Sequence, residues 1–227
     1  MAFGNAERVQ RRADESETSA SEVVVSPEIL GQTKEALEKI IRDPDAYIDE
    51  GGAAWVYRLP IGLCIKVMRP HNENTASGMQ LGNSLEEEAA FLEYLRTVVV
   101  EGARTPDYVS YTRIEETGVL IMEEIHGVNL QKILNGTEPL PPSYSHHAFF
   151  DALEKYVQAL HETHHIAHGD LEPRNIMVEE ESGMPRIIDF GRSVWTKGLD
   201  AEKRARLEQA DWDALAATEE KMSALAN

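Results

Sequence analysis

Two short runs set the limits on what this chain folds into. His168–Met177 reads HGDLEPRNIM, and Arg186–Gly191 reads RIIDFG. Asp170 and Asn175 stand five residues apart, and Asp189 follows fourteen residues after Asn175, directly before Phe190-Gly191. The first pair falls on a loop between a long helical pattern and a strand-like run; Asp189 ends the next strand-like run. An amide oxygen from Asn175 and a carboxylate from Asp189 are hard donors. They suit Mg²⁺, which takes a few protein oxygens and completes its shell with phosphate oxygens. Asp170 is then left to orient an attacking hydroxyl and accept its proton.

The rest of the chain supplies a frame for these residues. Residues 1–25 are polar and rich in Ser, Thr and Glu, and read as a flexible tail. Ser26-Pro27-Glu28 reads as a helix start, and Asp43-Pro44 as its end, giving an N-terminal helical extension over 26–48. WVYRL and LCIKVM flank Pro60-Ile61-Gly62 and predict a hairpin. His71–Gly82 is a polar loop. Leu85–Arg96 is helical, with Glu86, Glu87 and Glu88 near its start, and VSYTRI and GVLIMEEI are two further strands. Beyond His126-Gly127 the pattern turns helical. Asn129–Leu134 is a short helix, and His146–His164 the longest one, with Phe149, Phe150, Leu153, Tyr156, Val157 and Leu160 at helical spacing. IMVEEESGMPRIIDF reads as two short strands, and Ala201–Leu225 as a last helix.

The two runs resemble the catalytic loop H-R-D-x-x-x-x-N and the D-F-G turn of the protein-kinase-like superfamily. The resemblance runs from about Asp49 to about Leu215. It implies an α+β, two-lobed kinase fold, with an N-lobe over 49–125 and a C-lobe over 126–227. It implies ATP and Mg²⁺ as cofactors, and Asp170 as catalytic base with Asn175 and Asp189 as metal ligands. Lys66 in LCIKVM resembles the strand lysine that holds the α/β-phosphates. Glu88 is the best match for its helix partner, with Leu92 and Leu95 following, and Glu87 is the near alternative. LIMEEIHG resembles the hinge. Met122 would be the gatekeeper, the backbone of Glu123 and Ile125 would meet adenine, and Asn129 would reach the ribose. Asp211 in ADWDAL resembles the helix aspartate that holds the catalytic loop from below. Taken singly, a strand lysine or a helix glutamate is ordinary solvated surface; their joint order and spacing carry the reading.

Several positions depart from the family pattern. Gly169 replaces the arginine that receives a phosphorylated activation loop, which implies activity without such phosphorylation. HGD forms also occur in RIO-like and antibiotic kinases. Glu172 stands where Ser/Thr kinases carry a lysine, and Arg174 is a replacement cation suited to phosphate. The glycine-rich loop GGAAWVYR keeps Gly51, Gly52 and Val56 but has Ala54 at the third glycine place. Only 38 residues follow Asp189, and no APE motif is among them, so the C-terminal lobe reads as reduced and the peptide platform as largely missing.

Composition narrows the partners. The formal charge of −18 argues against general affinity for nucleic acid or anionic lipid. No apolar run approaches the length of a membrane helix, and a single cysteine, Cys64, favours a reducing compartment. A cytoplasmic location fits these features, and a monomer is expected. The tail before a compact kinase resembles minimal kinase effectors that bacteria secrete into host cells, which would make the protein substrate a host protein. The leading function is phosphorylation of a protein Ser, Thr or Tyr hydroxyl. Its alternatives are a small-molecule kinase and a nucleotide-binding pseudokinase scaffold. A metal-binding face formed by His161, His164, His165 and His168 is a rival reading of the helix end.

Overall fold

The computed structural model describes residues 33–50, 54–69, 85–98 and 100–225. The expected tail, the helix start at Ser26, Gly51, Gly52 and the polar loop from His71 to Gly82 lie outside the described residues.

Helix α1 (Lys34–Arg42) is capped by Thr33, whose Oγ1 accepts a hydrogen bond from the Ala36 N–H at 3.2 Å, and it stops before Pro44 as the sequence predicts. Strand β1 (Tyr47–Glu50) opens the sheet two residues earlier than the expected lobe boundary at 49. Strands β2 (Ala54–Leu59) and β3 (Leu63–Met68) form the predicted hairpin, turning through Ile61 and Gly62 at positive φ. Helix α2 (Leu85–Leu95) precedes β4 (Tyr108–Ile114) and β5 (Thr117–Glu123). The five strands form one antiparallel sheet in the order β1-β2-β3-β5-β4.

The period-2 alternation explains why these strands read as nearly continuous apolar runs. Tyr57, Leu59, Ile65, Val67, Val119 and Ile121 pack with Leu37 of α1 on one face. Leu120 and Met122 point the other way and join Phe91, Leu92 and Leu95 of α2 in the main core. Lys66 has the same parity as the second set, so it faces α2 rather than α1. Both faces are covered, and a one-residue slip would exchange them.

The second lobe begins with β6 (Gly127–Asn129) and α3 (Leu130–Leu134), followed by α4 (His146–Glu162). Strand β7 (Ile166–Ala167) leads into the catalytic-loop sequence, and β8 (Ile176–Glu179) and β9 (Pro185–Ile187) form the predicted hairpin, with β6 on its edge. Strand β10 (Val194–Trp195) pairs antiparallel with β7. Helix α5 (Ala201–Leu225) has the predicted bounds, and Asp200 caps it by accepting from the Lys203 N–H at 2.8 Å. The sequence had not shown β1, β6, β7 or β10, which are two to four residues long. The fold is α+β with two lobes, and a single long helix closes the described part of the second.

Candidate functional site

The site forms where β3, α2 and the turn after β9 converge. Lys66 Nζ lies 2.7 and 2.9 Å from the two carboxylate oxygens of Glu88 and 2.9 Å from Asp189 Oδ1. Period 2 aims Lys66 at α2, and the 3.6-residue period places Glu88 on the same buried stripe as Leu85, Leu92 and Leu95. This selects Glu88 over Glu87, which is exposed. Asp189 holds a left-handed φ of 62°, unusual for a residue with a side chain. Gly191 makes room for it: a Cβ there would sit 3.1 Å from Asp189 Oδ1. Val56 lies opposite Lys66 in the β2–β3 ladder.

One ammonium faces two carboxylates. Burial pulls the Lys66 pKa down, but Glu88 and Asp189 more than offset it, so its proton is held above the ordinary lysine range. Burial dominates at Glu88 and lifts its carboxyl above the usual range despite Lys66. At Asp189 burial also pushes upward, yet the Lys66 charge and hydrogen bond prevail and hold it below. The triad carries one excess negative charge, which a cation would neutralise.

Asp170 sits on the loop after β7. Arg174 Nη2 donates to both of its oxygens, at 2.9 and 3.0 Å, and the Asn175 Nδ2 donates to Asp170 Oδ2 at 3.1 Å and to its backbone carbonyl at 2.8 Å. Arg192 stands 3.9 Å away. The amide nitrogen of Asn175 is committed to Asp170, and no hydrogen bond to its Oδ1 occurs among the described residues. Asn175 Oδ1 and the Asp189 carboxylate are hard oxygens beside an uncompensated negative charge, so the donor set fits Mg²⁺. Arg174 is paired with Glu172 as well as Asp170. The replacement cation therefore spends its donors on two carboxylates in this state, and its proton is held above the ordinary range, chiefly by the Asp170 hydrogen bond.

Asp211 holds this loop from beneath. Its Oδ2 accepts from the His168 N–H at 2.7 Å and pairs with His161 Nε2 at 2.9 Å, and its Oδ1 accepts from the Gly169 N–H at 2.9 Å. His168 is fully buried, with Phe190 edge-on at 4.8 Å. Its Nε2 donates to the Ile188 carbonyl, and its Nδ1 accepts from the Asp170 N–H, which fixes the neutral tautomer. Burial holds its pKa below 6.5. The four histidines do not make a metal face. Helix α4 ends at Glu162, so their helical spacing is not realised, and no metal-binding group of His, Cys, Asp and Glu occurs among the described residues.

The expected hinge begins at Glu123, the last residue of β5. The Glu123 N–H donates to the Asp107 carbonyl at 2.9 Å, and Cys64 Sγ makes a weak contact to the Glu123 carbonyl at 3.5 Å. Burial pushes the Cys64 thiol up to about 12, so it is a packing residue. Asn129 Oδ1 caps α3 by accepting from the Lys132 N–H at 2.9 Å.

The sequence reading missed Arg186. It is 1% exposed, and its guanidinium donates to Glu179, to Glu123 and to the Thr105 carbonyl. It ties the back of the hinge to the β8–β9 hairpin. The signal was a lone arginine inside the apolar run MPRIIDF.

The protein kinase domain family model matches residues 63–206, from the first residue of β3 into α5. The chain belongs to the protein kinase domain family. A crystal structure of a kinase domain superposes with a TM-score of 0.52 at 16% identity, covering 68% of this chain and 52% of the other, which establishes the shared fold. A probable serine/threonine-protein kinase of Dictyostelium discoideum is 28% identical over 163 residues, 69% of this chain and 16% of its own length. Serine/threonine-protein kinase D of Synechocystis is 30% identical over 139 residues, covering 60% of this chain and 25% of its own length. Serine/threonine-protein kinase mos of Patiria pectinifera is 35% identical over 135 residues, covering 58% and 35%. The chain thus spans a minor part of these kinase relatives, and Asp211 lies beyond the matched family segment.

Proposed function

We propose that this chain transfers the γ-phosphoryl group of ATP to a hydroxyl of a protein substrate. The observation that carries this reading is Lys66 bridging Glu88 and Asp189 beside the Asp170–Asn175 loop. Mg²⁺, held by Asn175 and Asp189, would screen the phosphate charge. Lys66 binds the α/β-phosphates, and Glu88 keeps it extended towards them. Asp170 orients the acceptor hydroxyl and takes its proton as the new P–O bond forms and ADP leaves. Arg174 exchanges part of its pairing with Glu172 for the phosphate. The Glu123 carbonyl and the Ile125 N–H face adenine. Similarity to the serine/threonine kinases supports a protein substrate, and the single cysteine supports work in a reducing compartment, in the producing cell or a host.

Lys66→Met tests the nucleotide half. ATP hydrolysis and transfer fall by about a hundredfold or more, since the phosphates lose their fixed cation. Unchanged turnover in this variant would refute the assignment. Wild-type binding of MgATP with no transfer to any acceptor would favour the scaffold reading instead.

A further inference from the structure

Glu88 reaches Lys66 only while α2 is docked, so what docks α2 governs the site. One stripe of the helix, with Leu92 and Leu95, packs into the main core. Two aromatic residues of the helix, Phe91 within that core and the exposed Tyr94, also reach beyond it. The Phe91 ring stacks on Trp195 at 4.7 Å with an interplanar angle of 20°, and Tyr94 meets the same indole edge-on at 5.1 Å. Tyr94 Oη also lies 3.2 Å from His164 Nδ1, between α4 and β7. Three rings therefore join α2 to the segment that follows Gly191.

That segment is itself fastened. Val194 and Trp195 pair with Ala167 and Ile166, and the Thr196 N–H donates to the His165 carbonyl at 2.7 Å. Ser193 Oγ donates to the His168 carbonyl at 3.1 Å. Ser193 and Thr196 are the only hydroxyl residues between Asp189 and Asp200, and they are 2% and 1% exposed. Neither presents an acceptor for phosphorylation. No receiver for a phosphate fits either: Gly169 has φ +76°, and a Cβ there would lie 2.5 Å from the Arg192 carbonyl oxygen. The segment lies directly on the catalytic loop in the space a side chain would take.

We propose that Trp195 is a positioning residue that bolts α2 in its docked place, so that Glu88 meets Lys66 without phosphorylation of the segment. The proposal rests on the phosphotransfer reading for its effect on rate, but not for its effect on α2. Trp195 is 42% exposed and β10 pairs through its backbone, so truncation leaves the fold intact. Aromatic stacking holds the helix more firmly than area alone would.

The test compares wild type with Trp195→Ala and Trp195→Phe in two measurements. Amide hydrogen exchange is followed over 85–95, with 146–162 as internal reference. In Trp195→Ala the α2 amides exchange about tenfold faster while α4 is unchanged, and Trp195→Phe, which still stacks on Phe91, restores most protection. In phosphotransfer, kcat of Trp195→Ala falls about tenfold with a smaller change in KM for ATP, and phosphatase-treated wild type keeps its activity. Wild-type exchange of α2 in Trp195→Ala, equal losses in both variants, or loss of wild-type activity on phosphatase treatment would overturn the proposal. If wild type transfers no phosphate, the phosphotransfer reading fails, and the exchange measurement still decides whether Trp195 bolts the helix.

Discussion

Asp211 offers the most searching test of how the catalytic loop is held. Its side chain is 2% exposed and receives three polar hydrogens: the His168 and Gly169 backbone N–H groups and the His161 ring. Asp211→Ala leaves all three buried without a partner. At about 1–3 kcal/mol for each unsatisfied buried group, and allowing for a water that enters the space, the loss is about 3–6 kcal/mol. That is a large share of the roughly 5–15 kcal/mol that holds an ordinary domain together. Asp211→Asn is no rescue. Its amide keeps one oxygen, but its NH₂ must face a backbone N–H in either orientation, so it loses about half as much. Urea unfolding reads both through the midpoint, provided the slope is unchanged. Turnover falls with stability, because Gly169 leads directly into Asp170. A loss below about 1 kcal/mol in Asp211→Ala would refute the reasoning, since it would mean these bonds carry no load.

Two further outcomes follow from buried polar groups. His168 is buried and neutral with its pKa below 6.5, so its stability contribution is complete above 6.5 and is lost as pH falls through the lower native value. The urea stability of wild type therefore drops between pH 7 and 5 by more than that of His168→Gln; equal drops would exclude His168 as the source. Arg186→Met removes the buried cation shared by Glu123 and Glu179 and leaves them only the half-exposed Arg104, at a cost of up to about 3 kcal/mol, and part returns in Arg186→Met/Glu179→Gln. Thermal melting checks this, and an unchanged midpoint in the single variant would contradict it.

The sequence carried the chemistry because phosphate chemistry demands particular atoms at particular spacings. Asp170, Asn175 and Asp189 were legible for that reason, and Lys66 because it stands in LCIKVM in order with them; alone it would read as solvated surface. The sequence favoured Glu88, with Glu87 as the near alternative, and the structure has Glu88 on Lys66. One helical step of 100° decides it, and only the docking of α2 fixes which stripe faces the sheet. The His161–His168 metal face failed because the spacing assumed a helix that ends at Glu162. The short strands β7 and β10 were invisible, since two residues carry no periodicity and the pairing is non-local. Arg186 was hidden in the opposite way: its partners Glu123 and Glu179 are distant in sequence or lie across a hairpin. Trp195 likewise gains its meaning only from Phe91 and Tyr94, which lie a hundred residues earlier in the chain.

The most direct test of the account is transfer of label from γ-³²P-ATP with Mg²⁺ to a peptide library presenting Ser, Thr and Tyr. Wild type labels the library, and Asp170→Ala, which removes the group that takes the hydroxyl proton, labels it about a hundredfold less or lower. Equal labelling by wild type and Asp170→Ala would contradict the central claim.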